Sequence, residues 1–167
     1  MQIVFGLRAL IAFSLGVFVT FSQAHTYFVG TAVLAGFGVS FGLIAIALAV
    51  LKKTNSSQVP LASAALLIGA LSAATFLNQD LQAALFLPLV ALFGLSSAAL
   101  EGYLAKNLGP KTGNGRDFAL SAVFGAALGV LFLLAPIDEV SAVGFLGAYF
   151  AISGVFWGIA SFTPQAK

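Results

Sequence analysis

The sequence predicts an all-α, polytopic integral membrane protein with six transmembrane helices. Three observations predict it. Six apolar stretches of spanning length take up most of the 167 residues. Charged side chains make up only 7% of the chain against 60% hydrophobic. Every Lys and Arg falls on one side of the alternating connections. A crossing helix needs ~20 mainly apolar residues, and soluble domains carry roughly 25% charge. The composition therefore excludes an ordinary soluble domain, and residues 1–167 read as a single six-helix unit.

The first helix is expected over residues 3–22, with Arg8 near its start. Ser22-Gln23-Ala24 resembles a signal-peptide cleavage site. No positive charge precedes the apolar run, however, and Arg8 interrupts it, so the helix is expected to be retained. A short hairpin containing His25 leads to the second helix, 27–51, which ends at Lys52 and Lys53. The third is expected over 59–77 and the fourth over 81–105, joined by a tight turn at 78–80. Pro88 falls about two turns into the fourth helix, where its ring removes a hydrogen bond and predicts a kink. That kink reads as static shape, or as a hinge if the chain transports. The connection 106–117 is the longest. Arg116 and Asp117 open the fifth helix, 118–135, where the carboxylate suits the N-terminal dipole. Pro136 provides a stop, and the sixth helix follows over 140–162.

Lys52, Lys53, Lys106, Lys111, Arg116 and Lys167 lie on one side; His25, Asp80, Asp138 and Glu139 lie on the other. By the positive-inside rule both termini are expected in the cytoplasm of a plasma membrane. The net charge of +2 is spread along that one face. It suits anionic headgroups, so the bilayer is the expected partner and nucleic acid is not.

The chain is self-similar at a spacing near 56 residues. Gly38, Gly94 and Phe150 fall in register, as do Ser40, Ser96 and Ile152, then Gly42, Ala98 and Gly154. Three helical hairpins are expected, approximately 3–53, 59–106 and 116–162. Units with two crossings each enter the membrane in the same direction and are related by an axis along its normal.

Helix association in lipid depends on close backbone approach. Gly38–Gly42, Gly125–Gly129 and Gly154–Gly158 are small-xxx-small pairs, and Gly94–Ala98–Gly102 extends the spacing over two turns. They are expected to pack helices within the chain, or else to dimerise it or dock a membrane partner. Tyr27, Tyr103 and Trp157, near helix ends, are expected at headgroup depth.

Two ionisable residues fall inside spans, Arg8 and Glu101. A charge at the bilayer centre costs ~2.5–3.5 kcal/mol on insertion scales. Arg8 can snorkel to the headgroups, whereas Glu101 is shorter and needs a cation. It is expected to pair with Arg8 or with Lys106, as an interfacial salt bridge or as a proton or cation site. His25 is expected to be a solvated loop residue, with pH sensing as the sharper reading.

The chain has no cysteine and one histidine, so thiolate chemistry and a conventional metal site are excluded. Its Gly-rich stretches lie inside apolar helices and carry no phosphate-binding Lys-Ser/Thr pair. No cofactor and no enzymatic activity are expected.

Arg116, Gly125 and Gly129, then Pro136 and the Gly147–Gly154 run Gly-Ala-Tyr-Phe-Ala-Ile-Ser-Gly, resemble the last hairpin of the HdeD-like acid-resistance membrane proteins. Residues 8–53 resemble the same unit through Gly16, Gly36, Gly38 and Gly42. In the middle unit Ala64 stands where Arg8 would, and Pro88 and Glu101 are additions. The resemblance implies a small six-helix protein of the bacterial inner membrane, built of repeated hairpins and supporting acid or envelope-stress survival without catalysis. It supplies no binding residues. The other readings are a small transporter or channel using Glu101 and the Pro88 kink, and an accessory subunit docked through its glycine faces.

Overall fold

A computed structural model describes residues 2–54, 56–109 and 111–163. Pro110 of the longest loop and Lys167 of the basic tail lie outside them. Six helices long and apolar enough to cross a membrane are present among the described residues. They are α1 (Gln2–Phe21), α2 (Tyr27–Val50), α3 (Val59–Ala74), α4 (Gln79–Leu108), α5 (Gly113–Leu134) and α6 (Glu139–Phe162). Single 3₁₀ turns, Ser56–Gln58 and Thr75–Leu77, flank α3.

Polar residues at the helix ends explain the boundaries. Thr26, Asn78, Thr112 and Asp138 each accept a backbone N–H of the helix they open, which satisfies donors that have no partner within the helix. Helix α2 closes with Lys52 in the left-handed region, at φ 54. There the Lys53 N–H reaches the Leu48 carbonyl at 2.9 Å, a bond that satisfies one of the last carbonyls. Thr112 moves the start of α5 five residues earlier than the apolar run suggested. Gly115 is required there, since a Cβ would collide with the Gly109 carbonyl. At 30 residues, α4 spans ~45 Å and outreaches the ~30 Å hydrocarbon core. It runs unbroken through Pro88, which is exposed on the outer wall.

The helices close into a ring in chain order. Their most extensive contacts are α4 with α5, α1 with α6, and α2 with α3. The tight pairs therefore form across the basic connections and across the chain's two ends, rather than within the three expected hairpins. The glycines explain the choice. A Cβ on Gly38 would fall within 3 Å of Gly69, and one on Gly94 within 3 Å of Gly125 and Gly129. Gly16 lies equally close to Ala151, and Gly154 to Phe13. Gly42 meets Ala62 and Leu66, while Gly158 makes only ordinary contact with Ala9, and Gly102 faces open space. Gly102 was expected to extend the packing face and does not.

Helices α2, α4 and α6 meet at the centre, and the odd-numbered helices stand outside them. The rings of Phe37, Phe93 and Phe150 fill the axis, with centroids 4.8–5.8 Å apart and exposure of 2% or less. Phe37, Phe93 and Tyr149 are spaced by 56 residues, so the repeat in the sequence coincides with the place where the inner helices converge. Phe18, Phe21, Phe28, Leu67, Val123 and Ile152 are among the large apolar side chains left on the outer wall.

Candidate functional site

The polar centre of the molecule is an ion pair between Arg8 on α1 and Glu101 on α4. These helices are not packed neighbours; they occupy opposite positions in the ring. Arg8 therefore extends through the interior, and its guanidinium lies 4.7 Å from the Trp157 ring of α6 and 5.8 Å from the Phe41 ring of α2. Arg8 is 4% exposed, and Glu101 and Trp157 are 0% exposed. Four helices thus meet around a single pair of charges.

The pair is sealed along both directions of the bundle axis. On the side of the chain's N-terminus, Phe5, Phe118 and Trp157 form a cluster with centroids 4.6–5.5 Å apart. On the other side stand Phe37, Phe93 and Phe150. Glu101 lies seven residues before the end of α4 and Arg8 six after the start of α1, about 10.5 and 9 Å along their helices. Glu101 is deeper than the expected span 81–105 suggested, because α4 extends three residues past it. Of the two outlets open to Arg8, the headgroups and a pairing with Glu101, its charge takes the inward one.

Two ions taken out of water lose solvation that only good geometry and added hydrogen bonds restore. Arg8 gains partial compensation from two ring faces, each worth up to ~2 kcal/mol when desolvated. Glu101 is less complete. Its Oε1 contacts the guanidinium, yet neither carboxylate oxygen makes a well-aligned hydrogen bond with a protein group. The Tyr149 hydroxyl is within electrostatic reach of both charges and sits beside Ser153. Ser97, one turn before Glu101, is buried as well.

Lys106, the other expected partner of Glu101, is exposed at the end of α4. Trp157 was expected at headgroup depth and instead forms the wall beneath Arg8. Tyr103 is exposed, as is Pro88 on the lipid-facing wall. On the opposite face His25 is half-buried in its loop. There Glu139 accepts the Tyr27 N–H at 2.5 Å, which ties the start of α6 to the start of α2. Asp138 accepts from the Ser141 N–H at 3.0 Å and its hydroxyl at 2.6 Å. Those hydrogen bonds hold the Asp138 carboxyl below its ordinary value of 3.8.

The sequence reading missed Phe41, Tyr149, Ser153 and Trp157 as parts of this site. A signal existed: Tyr149, Ser153 and Trp157 recur every four residues and so share one face of α6. That stripe carries the polar atoms of the helix interior, Glu139, Ser141 and Ser161 lying in its end turns. No protein-family model, no curated protein and no solved structure matches the chain.

Proposed function

We propose that this chain is a non-enzymatic protein of the bacterial inner membrane, HdeD-like in kind, that supports tolerance of acid or envelope stress. On this reading both termini face the cytoplasm, and the charge distribution supports it. Lys52, Lys53, Lys106, Lys111 and Arg116 lie in the terminal turns and loops at one end of the bundle, and Asp80, Asp138 and Glu139 at the other, the distribution of positive charge that sets orientation. The observation that carries the non-catalytic reading is the ion pair itself. Glu101 is matched by a residue of its own chain and enclosed by aromatic rings, so the charges clamp four helices into one rotational setting.

Survival of a deletion strain after acid exposure tests this role. The wild-type gene should restore survival. The double variant Arg8→Met/Glu101→Leu, which keeps the volume and removes both charges, should restore it equally. Failure of an assembled double variant overturns the clamp reading. It favours the second reading, a small proton or cation transporter, for which the unused acceptor capacity of Glu101 is the motive. Flux into vesicles that disappears in Glu101→Gln would establish that reading. The Pro88 kink has less support as a hinge, since the proline lies on the outer wall. Docking of a partner through the glycine faces has less too, since most of these glycines are engaged within the chain.

Orientation can be tested independently. The chain has no native cysteine, so Ala24→Cys, Asp138→Cys and Lys111→Cys each introduce one thiol. An impermeant maleimide should label positions 24 and 138 in intact cells, and position 111 only after the membrane is opened. The reverse pattern overturns the assignment.

A further inference from the structure

The seam between α5 and α6 is the least closely packed junction of the ring, and its outer wall opens as two adjoining crevices. One, of about 260 Å³, lies between Phe124, Ala127 and Leu131 of α5 and Phe145, Ala148 and Tyr149 of α6. The other, of about 460 Å³, runs along α6 from Ala151 to Ile159, between Phe124 of α5 and Phe13 of α1. Side-chain size accounts for the gap. The tight seams hold glycine against backbone, whereas here Phe124 and Phe156 meet edge to face at 5.7 Å and hold the helices apart. Ala127 and Ala148 then leave the hollow beside them unfilled.

Arg116 stands at the foot of this seam. Leu120, Phe124, Ala127 and Leu131 follow it at spacings of four, four, three and four, a single stripe on α5. Arg116 is exposed, as is Lys111 in the preceding loop. Asp117 beside Arg116 offsets part of the charge, and Lys111 leaves the local balance positive. Eleven residues from Arg116 to Ala127 amount to about 16 Å of helix, close to the hydrocarbon depth of one leaflet, half of ~30 Å.

We propose that the α5–α6 seam binds one anionic phospholipid from the leaflet on the basic side, its phosphate against Arg116 and Lys111 and one acyl chain in the crevices. The site depends on the chain lying in a bilayer and is independent of any stress role.

Native mass spectrometry of the full chain, released from micelles holding equal phosphatidylglycerol and phosphatidylcholine of matched chains, tests it. The wild type should retain one phosphatidylglycerol in preference to phosphatidylcholine. Arg116→Gln should lower that retention about fivefold, the effect of one cation near the headgroups. Ala148→Phe should fill the crevice and reduce retention of both lipids. Ala127→Leu serves the same purpose if Ala148→Phe does not elute as a single folded species. Equal retention of the two lipids by the wild type overturns the proposal. So does a preference that survives Arg116→Gln, or retention of both lipids that is unchanged by filling of the crevice.

Discussion

The Arg8 guanidinium lies 4.7 Å from the Trp157 ring while its charge is met by Glu101, so one side chain binds α1, α4 and α6 together. A buried pair of this kind is asymmetric in its energetics. Removing one partner leaves an uncompensated charge, whereas replacing both with apolar groups of similar volume is often neutral or stabilising.

Glu101→Leu alone should therefore destabilise the protein by about 3–5 kcal/mol. The double variant Arg8→Met/Glu101→Leu should recover most of that loss. Reversible unfolding in mixed micelles, followed across the wild type, both single variants and the double, measures the coupling. Additive single effects would show that the two charges do not act as a pair.

Glycine substitutions separate closely packed positions from open ones. Gly94→Ala places a methyl within 3 Å of Gly125 and Gly129 backbone atoms and should force α4 and α5 apart. Gly102→Ala meets nothing within 4 Å and should be neutral or stabilising by up to about 1 kcal/mol, the difference in helix propensity. Thermal stability of the two purified variants compares them directly. Equal losses would contradict the packing at Gly94.

Six helices of spanning length were legible in the sequence because length and apolarity are local properties. The tight partnership of α1 with α6 was not. It depends on Gly16 meeting Ala151 and Gly154 meeting Phe13 across almost the whole chain, and a helical pattern does not say which neighbour a glycine face will choose. Arg8 with Glu101 was one of two pairings open to Glu101. Lys106 lies nearer in sequence, but five residues along a helix point it away, to the solvated end. The inward turn of Trp157 was hidden by the general preference of tryptophan for interfaces; a stripe through Tyr149 and Ser153 is a weaker signal than that preference.

The loops at the acidic end of the bundle should show a pH dependence with one sign. Asp138 caps α6, and its hydrogen bonds with Ser141 lower its pKa in the folded state. A depressed carboxylate contributes stability that is fully present above its unfolded value, here the ordinary 3.8. That contribution is lost as pH falls through the lower folded value. Asp138→Asn, which keeps a capping oxygen and removes the titration, should lower stability near neutrality by the lost charge contribution and flatten the stability profile below about pH 4. Unfolding midpoints collected from pH 7 to pH 2.5 provide the comparison, and parallel profiles for the two proteins would contradict the assignment.

Trp157 is the only tryptophan, which makes the buried site directly observable. An indole enclosed by Phe5, Phe118, Phe156 and a guanidinium is shielded from water and from lipid alike. Its emission should be blue-shifted, and neither acrylamide nor brominated lipid should quench it appreciably. A tryptophan at headgroup depth would instead respond to both quenchers. In Arg8→Met/Glu101→Leu the emission should stay blue-shifted, because the aromatic wall persists without the charges. In Glu101→Leu, Arg8 is left without a counter-charge and is driven towards the basic face, so water should follow into the space it leaves. Red-shifted, acrylamide-sensitive emission in that single variant, reversed in the double, would tie the seal around Trp157 to the charge balance of the pair. Strong quenching by brominated lipid in the wild type would place Trp157 on the outer wall and remove the site.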